Sequence, residues 1–265
     1  MQNQKVRPLV SSLLVLLTVS LACSSSAAQP TSTPASTDTP EPTATIATTP
    51  TNTPRPSPTL RPTQTPNLAA TQRYDEFNTQ AQKYIDLGYL PSADGEFIEY
   101  NDFEYDWAQL GWYNWAPLGV TVTDFYISAQ FKWSSAYRNA DTSGCGFIFA
   151  IQENGDHYAV FLDRSEVLFL NADSATSYSR RVGVTRGTSR VIFDNPFDNP
   201  VEADFTLIVN GTYAYVLVNG EVTGEYTLAQ SKILRGDVAV SVLSGTNKDF
   251  GTRCEMSDIH VFVPN

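Results

Sequence analysis

The stretch DFYISAQFKW, from Asp124 to Trp133, alternates without a break: Phe125, Ile127, Ala129, Phe131 and Trp133 on one side, Tyr126, Ser128, Gln130 and Lys132 on the other. Successive side chains of a β-strand point to opposite faces, so this period predicts a strand with one face buried. CGFIFAIQ, HYAVFLD, VLFLNA and YSRRVGV follow as short strands. ADFTLIVNGTYAYVLVNGEVTGEYT reads as three more, joined at Asn210-Gly211 and Asn219-Gly220. Asn-Gly supplies the positive φ angles that two-residue hairpin turns require. DVAVSVLSG and SDIHVFV close the chain. So many short strands from Gly95 onward, with no second helix, predict an all-β fold of two antiparallel sheets packed as a sandwich.

The pattern differs just upstream. In NLAATQRYDEFNTQAQKYIDLGYL the residues Ala70, Tyr74, Phe77, Ala81 and Tyr84 recur at the spacing of one helix face, and Gly88 is a natural stop. A short helix over 67–88 is therefore expected. Its apolar stripe suits docking on the domain that follows; a short coiled coil is the alternative.

Residues 1–22 have the layout of an export signal: Lys5 and Arg7, then PLVSSLLVLLTVSLA, apolar but too short to span a bilayer. The segment ends in SLAC, which resembles the lipobox of bacterial lipoproteins, with Ser20 where leucine is commonest. That resemblance implies lipidation of Cys23 and an extracytoplasmic chain anchored to the membrane at the bacterial cell surface. Residues 23–66 are almost entirely Thr, Pro, Ser and Ala, with Ile46 the one large apolar residue before Leu60. Such a linker cannot bury enough surface to offset the entropy of ordering, so it is expected to be disordered and stiffened by proline. Fully extended, its roughly 43 residues reach on the order of 130 Å, clear of a membrane surface. Composition of this kind is also typical of O-glycosylated stalks.

Charge narrows the partners. The whole chain carries −11, and because leader and linker contribute +2, the folded part carries −13. Such a surface has no electrostatic reason to bind nucleic acid or anionic lipid. It suits a protein kept soluble by carboxylates, or one that handles neutral sugars or cations. Of three cysteines, a lipidated Cys23 leaves Cys145 and Cys254, which in an oxidising compartment predict a disulfide. Zinc needs four ligands at recognisable spacings, and two cysteines with His157 and His260 supply no such set.

The succession DFYISAQFKW, GCGFIFAIQENGDHYAVFLD, FTLIVNGTYAYVLVNGEV and DVAVSVLSGTNKDFGTRCEMSDIHVFV is similar to the concanavalin A-like lectin/glucanase superfamily. Within it, the likeness is to the laminin-G-like modules of bacterial surface proteins. It runs from about Gly95 to Val263 and implies a jelly-roll domain over 95–265. The motifs are hairpin and core residues, specific for fold and weak for activity, since one fold hosts enzymes, lectins and inert adhesion modules.

Glucanases of that superfamily use a strand-borne E-x-D-x-x-E. The nearest string is EYDWAQ, Glu104–Gln109, with Gln109 where the acid/base should stand. No catalytic residue is assigned, and the chain is read as a non-enzyme. Aromatic residues are the stronger lead, because YDWAQLGWYNWAPLG gathers Trp107, Trp112, Tyr113 and Trp115. Flat rings stack on pyranose faces and neighbouring amides serve the hydroxyls, which makes Trp107, Gln109, Tyr113, Asn114 and Trp115 the candidate ligand-binding set. Unbroken alternation would put Trp107, Gln109 and Tyr113 on one face, opposite Leu110 and Trp112, with one set in the core. Core packing and a binding groove both stay open for these aromatics.

Laminin-G-like modules often carry a rim calcium, for which FDNPFDNPVEAD offers Asp194, Asn195, Asp198 and Asn199, and YRNADTSG offers Asn139 and Asp141. Asp-Asn-Pro is equally plain turn chemistry. His157 and His260 stand alone in strands and are read as structural. The function expected is non-catalytic recognition of extracellular polysaccharide by a surface-displayed module. The alternatives are a structural envelope module with a protein partner, and a glycan hydrolase.

Overall fold

The alternation that opens at Phe125 becomes a central strand. The computed structural model describes residues 68–137, 142–176, 178–193, 199–230 and 232–265. Among these, one helix, α1 (Leu68–Asp86), precedes fourteen strands. They are β1 (Gly95–Tyr100), β2 (Phe103–Trp107), β3 (Trp112–Val122), β4 (Phe125–Ser135), β5 (Gly144–Ile151), β6 (His157–Leu162) and β7 (Val167–Asp173). Then come β8 (Tyr178–Arg181), β9 (Val184–Gly187), β10 (Val201–Asn210), β11 (Tyr213–Val218), β12 (Glu221–Thr227), β13 (Gly236–Ser244) and β14 (Thr252–Pro264).

Every strand pairing among the described residues is antiparallel, and together they make the two-sheet jelly-roll sandwich that the sequence implied. An eight-stranded sheet runs β1-β14-β4-β10-β11-β12-β9, with β2 also on β14; a six-stranded sheet runs β3-β13-β5-β6-β7-β8. Their inner faces share one core. Phe125, Ile127, Phe131 and Trp133 come from β4, Phe205 and Leu207 from β10, and Phe147, Phe149, Tyr158 and Val240 from the opposite sheet. Cys145 on β5 and Cys254 on β14 are bonded across that core, with Cα atoms 5.6 Å apart. The predicted disulfide therefore joins one sheet to the other.

Helix α1 docks on the outer face of the eight-stranded sheet. Phe77, Ala81 and Tyr84 bury against Tyr126, Ile208, Leu217 and Phe262. The helix stops as its sequence implied: Gly88 takes φ +77°, its N–H donates to the Ile85 carbonyl at 2.8 Å, and the Tyr89 N–H reaches back to the Tyr84 carbonyl at 2.8 Å. That is a Schellman closure, which satisfies carbonyls the helix end would leave bare.

Three local readings need correction. The turn after β10 is one residue later than expected, because Asn210 still pairs with Tyr213 and Gly211 leads the turn. Asn219-Gly220 does form its two-residue turn, with φ +51° and +78°. YSRRVGV is not one strand: β8 pairs with β7, whereas β9 pairs with β12, so the chain crosses between sheets at Val182-Gly183. The run from Trp107 to Trp115 is broken as well, since β2 lies in the eight-stranded sheet and β3 in the six-stranded one.

Candidate functional site

That last break scatters the candidate aromatic set. Trp107 ends β2, packs against the main core, and holds its indole N–H buried with no hydrogen-bond partner among the described residues. Gln109 sits in the turn, its carbonyl accepting from the Trp112 N–H at 3.0 Å. On β3, Tyr113 and Trp115 lie opposite Leu243 and Ser241 of β13 and face away from the core, whereas Asn114 lies opposite the core residue Val242. Asn114 Nδ2 donates to the Tyr105 hydroxyl at 3.1 Å, and its Oδ1 accepts from the Trp115 N–H at 3.0 Å. Trp107, Gln109 and Tyr113 therefore do not share a face, and no single surface holds all five residues.

Tyr113 shows the shape of its sheet. Its hydroxyl is 2.6 Å from Nε2 of His157, on β6. Strands β3 and β6 are separated by β13 and β5, about 14 Å apart if the sheet were flat, at roughly 4.8 Å per strand. Side chains standing upright on a flat sheet would not meet over that distance, so the sheet curls and the face turned from the core is concave. Its floor is filled by side chains: Ile148, Ala159, Phe161 and Ala239 are fully buried, and the Tyr113 ring lies 5.2 Å from that of Phe161.

His157 is fixed in one tautomer. Nδ1 lies 2.8 Å from the Gly155 carbonyl, which only accepts, so Nδ1 carries the proton and the Tyr113 hydroxyl donates to Nε2. Burial holds the imidazole below the usual histidine range and pushes the Tyr113 phenol up. The pair is thus neutral and locked. Trp115 stands at the mouth of the concavity, its ring 5.9 Å from Tyr113 and 5.2 Å from His157, with 38% of its surface exposed.

The outer face of the eight-stranded sheet, where α1 leaves it bare, is chemically different. Glu104, Glu255, Lys132 and Glu202 form a row across β2, β14, β4 and β10. With Gln130, Asp204 and Asn219 they line a depression of about 730 Å³. Lys132 pairs with Glu255 at 2.9 Å. The glucanase-like string EYDWAQ begins in it: Glu104 and Asp106 share this outer face, and Gln109 lies in the turn. Arg253 grips Asp106 through two hydrogen bonds of 2.8 Å, which hold that carboxyl below its usual range.

Of the calcium candidates, Asp194, Asn195 and Asp198, with Asn139 and Asp141, lie outside the described residues. Asn199 is described, and its amide is occupied. Oδ1 accepts from the Ser135 N–H at 3.0 Å and from Arg164 at 2.9 Å, and Nδ2 donates to the Ser135 carbonyl at 3.2 Å. Among the described residues, no group of three or more His, Cys, Asp or Glu is placed to hold a metal.

No family model matches this chain, and no curated protein matches it. Solved structures do. The carbohydrate-binding module CBM66 from Bacillus subtilis aligns over 64% of this chain and 97% of its own, at 10% identity and a TM-score of 0.42. Sheep galectin-11 aligns over 58% and 98%, at 8% identity and a TM-score of 0.35. The Aspergillus kawachii β-fructofuranosidase aligns over 66% of this chain but 28% of its own, at 16% identity and a TM-score of 0.43. At such scores, what those proteins bind says nothing about this one, and the architecture stands on its strand pairings.

Proposed function

We propose that this chain is a non-catalytic recognition module for extracellular polysaccharide, displayed at the cell surface by a lipid on Cys23 and the linker that follows it. Cys23 and the linker lie outside the described residues, and their part in the reading rests on the sequence. The observation that carries the reading is Trp115. Burying a tryptophan is favourable at about 25 cal/mol per Å² of apolar surface, yet this one stays open at the mouth of a concavity whose floor is already filled. A flat ring beside the locked Tyr113–His157 pair offers a preformed stacking surface with polar groups at its margin. The full chain and a Trp115→Ala variant, screened on an array of neutral and acidic polysaccharides with and without calcium, test this. Binding of at least one polysaccharide class that the variant loses supports it; no binding to any overturns it.

A protein partner is the second reading, favoured by the far side of the same corner. There Leu110, Trp112 and Tyr105 are exposed by 57%, 63% and 41%. Pull-down from an envelope extract separates the two. A protein retained by Trp115→Ala but released by Trp112→Ala favours the second reading.

A further inference from the structure

A second exposed aromatic surface lies on the other sheet, where β11, β12 and β9 pass beside the segment that follows α1. In the meander, Ala214 and Val216 face the core, so Tyr213 and Tyr215 face outward. Tyr215 is held by the ring of Tyr89, stacked at 4.2 Å and 23°. Tyr213, Val222 and Leu87 remain exposed by 45%, 44% and 51% around it. Together they line a trough of about 320 Å³ whose other wall is Arg186 and Glu225, paired across β9 and β12 at 3.7 Å.

Folding alone does not account for this arrangement. Outward positions of a sheet are free to be polar, yet here tyrosines occupy alternate ones and neighbouring aliphatic residues stay in water. The ring of Tyr215 is already immobilised, so a ligand that met it would pay little ordering entropy. The volume is at the small end of ligand sites, enough for one or two sugar rings. Charge within the trough is balanced by Arg186 and Glu225, and the Arg186 side chain is 84% exposed, which leaves donors open to a hydroxyl. Tyrosine rings, phenolic hydroxyls and a balanced ion pair match a neutral pyranose, which has an apolar C–H face and a polar rim.

We infer that this trough is a second contact site for neutral polysaccharide, separate from Trp115 and on the opposite sheet. It rests on the polysaccharide reading above and extends it: two sites on one module grip a polymer bivalently or bridge two chains of it. The test is calorimetric titration of the full-length protein with soluble neutral hexasaccharides of glucose, mannose, xylose and galactose, in wild type, Tyr213→Ala, Trp115→Ala and the double variant. Circular dichroism melts confirm that each is folded. The inference predicts a loss of about tenfold for Tyr213→Ala on a sugar that Trp115→Ala still binds, and no binding by the double variant.

Tyr213→Ala binding every sugar as wild type does, while Trp115→Ala loses it, overturns the inference and leaves the polysaccharide reading standing. Wild type binding none of the sugars here and nothing on the polysaccharide array overturns both. An envelope protein released by Tyr213→Ala, with sugar affinity unchanged, gives the trough to a protein and overturns the inference as well.

Discussion

Removing the Cys145–Cys254 bond is the sharpest perturbation of the scaffold. Both residues are fully buried, on β5 and β14, and the bond closes a loop of 109 residues. The chain-entropy relation assigns such a loop about 4.8 kcal/mol at 25 °C, and measured losses on removing native disulfides run about 2–5 kcal/mol. A Cys145→Ala/Cys254→Ala variant avoids leaving a lone thiol in the core. At roughly 2–4 °C per kcal/mol for a domain of this size, its melting temperature should fall by about 5–15 °C. Urea unfolding of oxidised wild type, the double variant and wild type in reductant should give one high midpoint and two low ones. Equal midpoints in all three would refute the reasoning, because the bond would then constrain nothing that folding does not already constrain.

Two further outcomes follow from packing and titration. Phe77 is 6% exposed and its ring meets those of Phe97, Tyr126 and Phe262 at 4.3, 5.2 and 5.8 Å, so Phe77→Ala should cost about 3 kcal/mol. Hydrogen exchange should locate that loss in α1 more than in β4 or β10; uniform loosening would contradict the docking described. His157 and His260 are both held below the ordinary histidine value by burial, so the unfolded chain takes up their protons first. His157 faces Tyr113, Lys232 and Asp156, and His260 faces Glu99, Asp258 and Arg73. Their stabilising contribution is complete above about pH 6.5 and shrinks as pH falls below it, which urea midpoints between about pH 7.5 and 5.5 would show. A double His157→Gln/His260→Gln variant should flatten that slope, and an unchanged slope would count against it.

Local order was legible where one physical rule acted alone. The alternation in β4, the Asn219-Gly220 turn and the Gly88 helix stop each need only neighbouring residues, and cysteine counting needs only the redox setting. What escaped depends on breaks that composition barely marks. Gly111, at φ +73°, lets the chain leave one sheet for the other, yet QLG between tryptophans reads as continuous strand. In β14 an irregularity at Asp258, φ +51°, resets the alternation so that Met256 and Ile259 both reach the core.

The sites themselves are tertiary. Tyr113 meets His157 because a sheet curls, and periodicity along one strand carries no record of curvature. The trough at Tyr213 left a fainter trace. TYAYV sets two tyrosines on the face that alternation assigns to water, a pattern that period alone does not connect to a site.

The measurement that bears most directly on function is the affinity of the full-length chain for polysaccharide, titrated calorimetrically in wild type and Trp115→Ala. The account predicts saturable binding of an extracellular polysaccharide by wild type, weakened at least about tenfold in a variant that melts like wild type. Wild type binding no polysaccharide, or Trp115→Ala binding it with undiminished affinity, would contradict it.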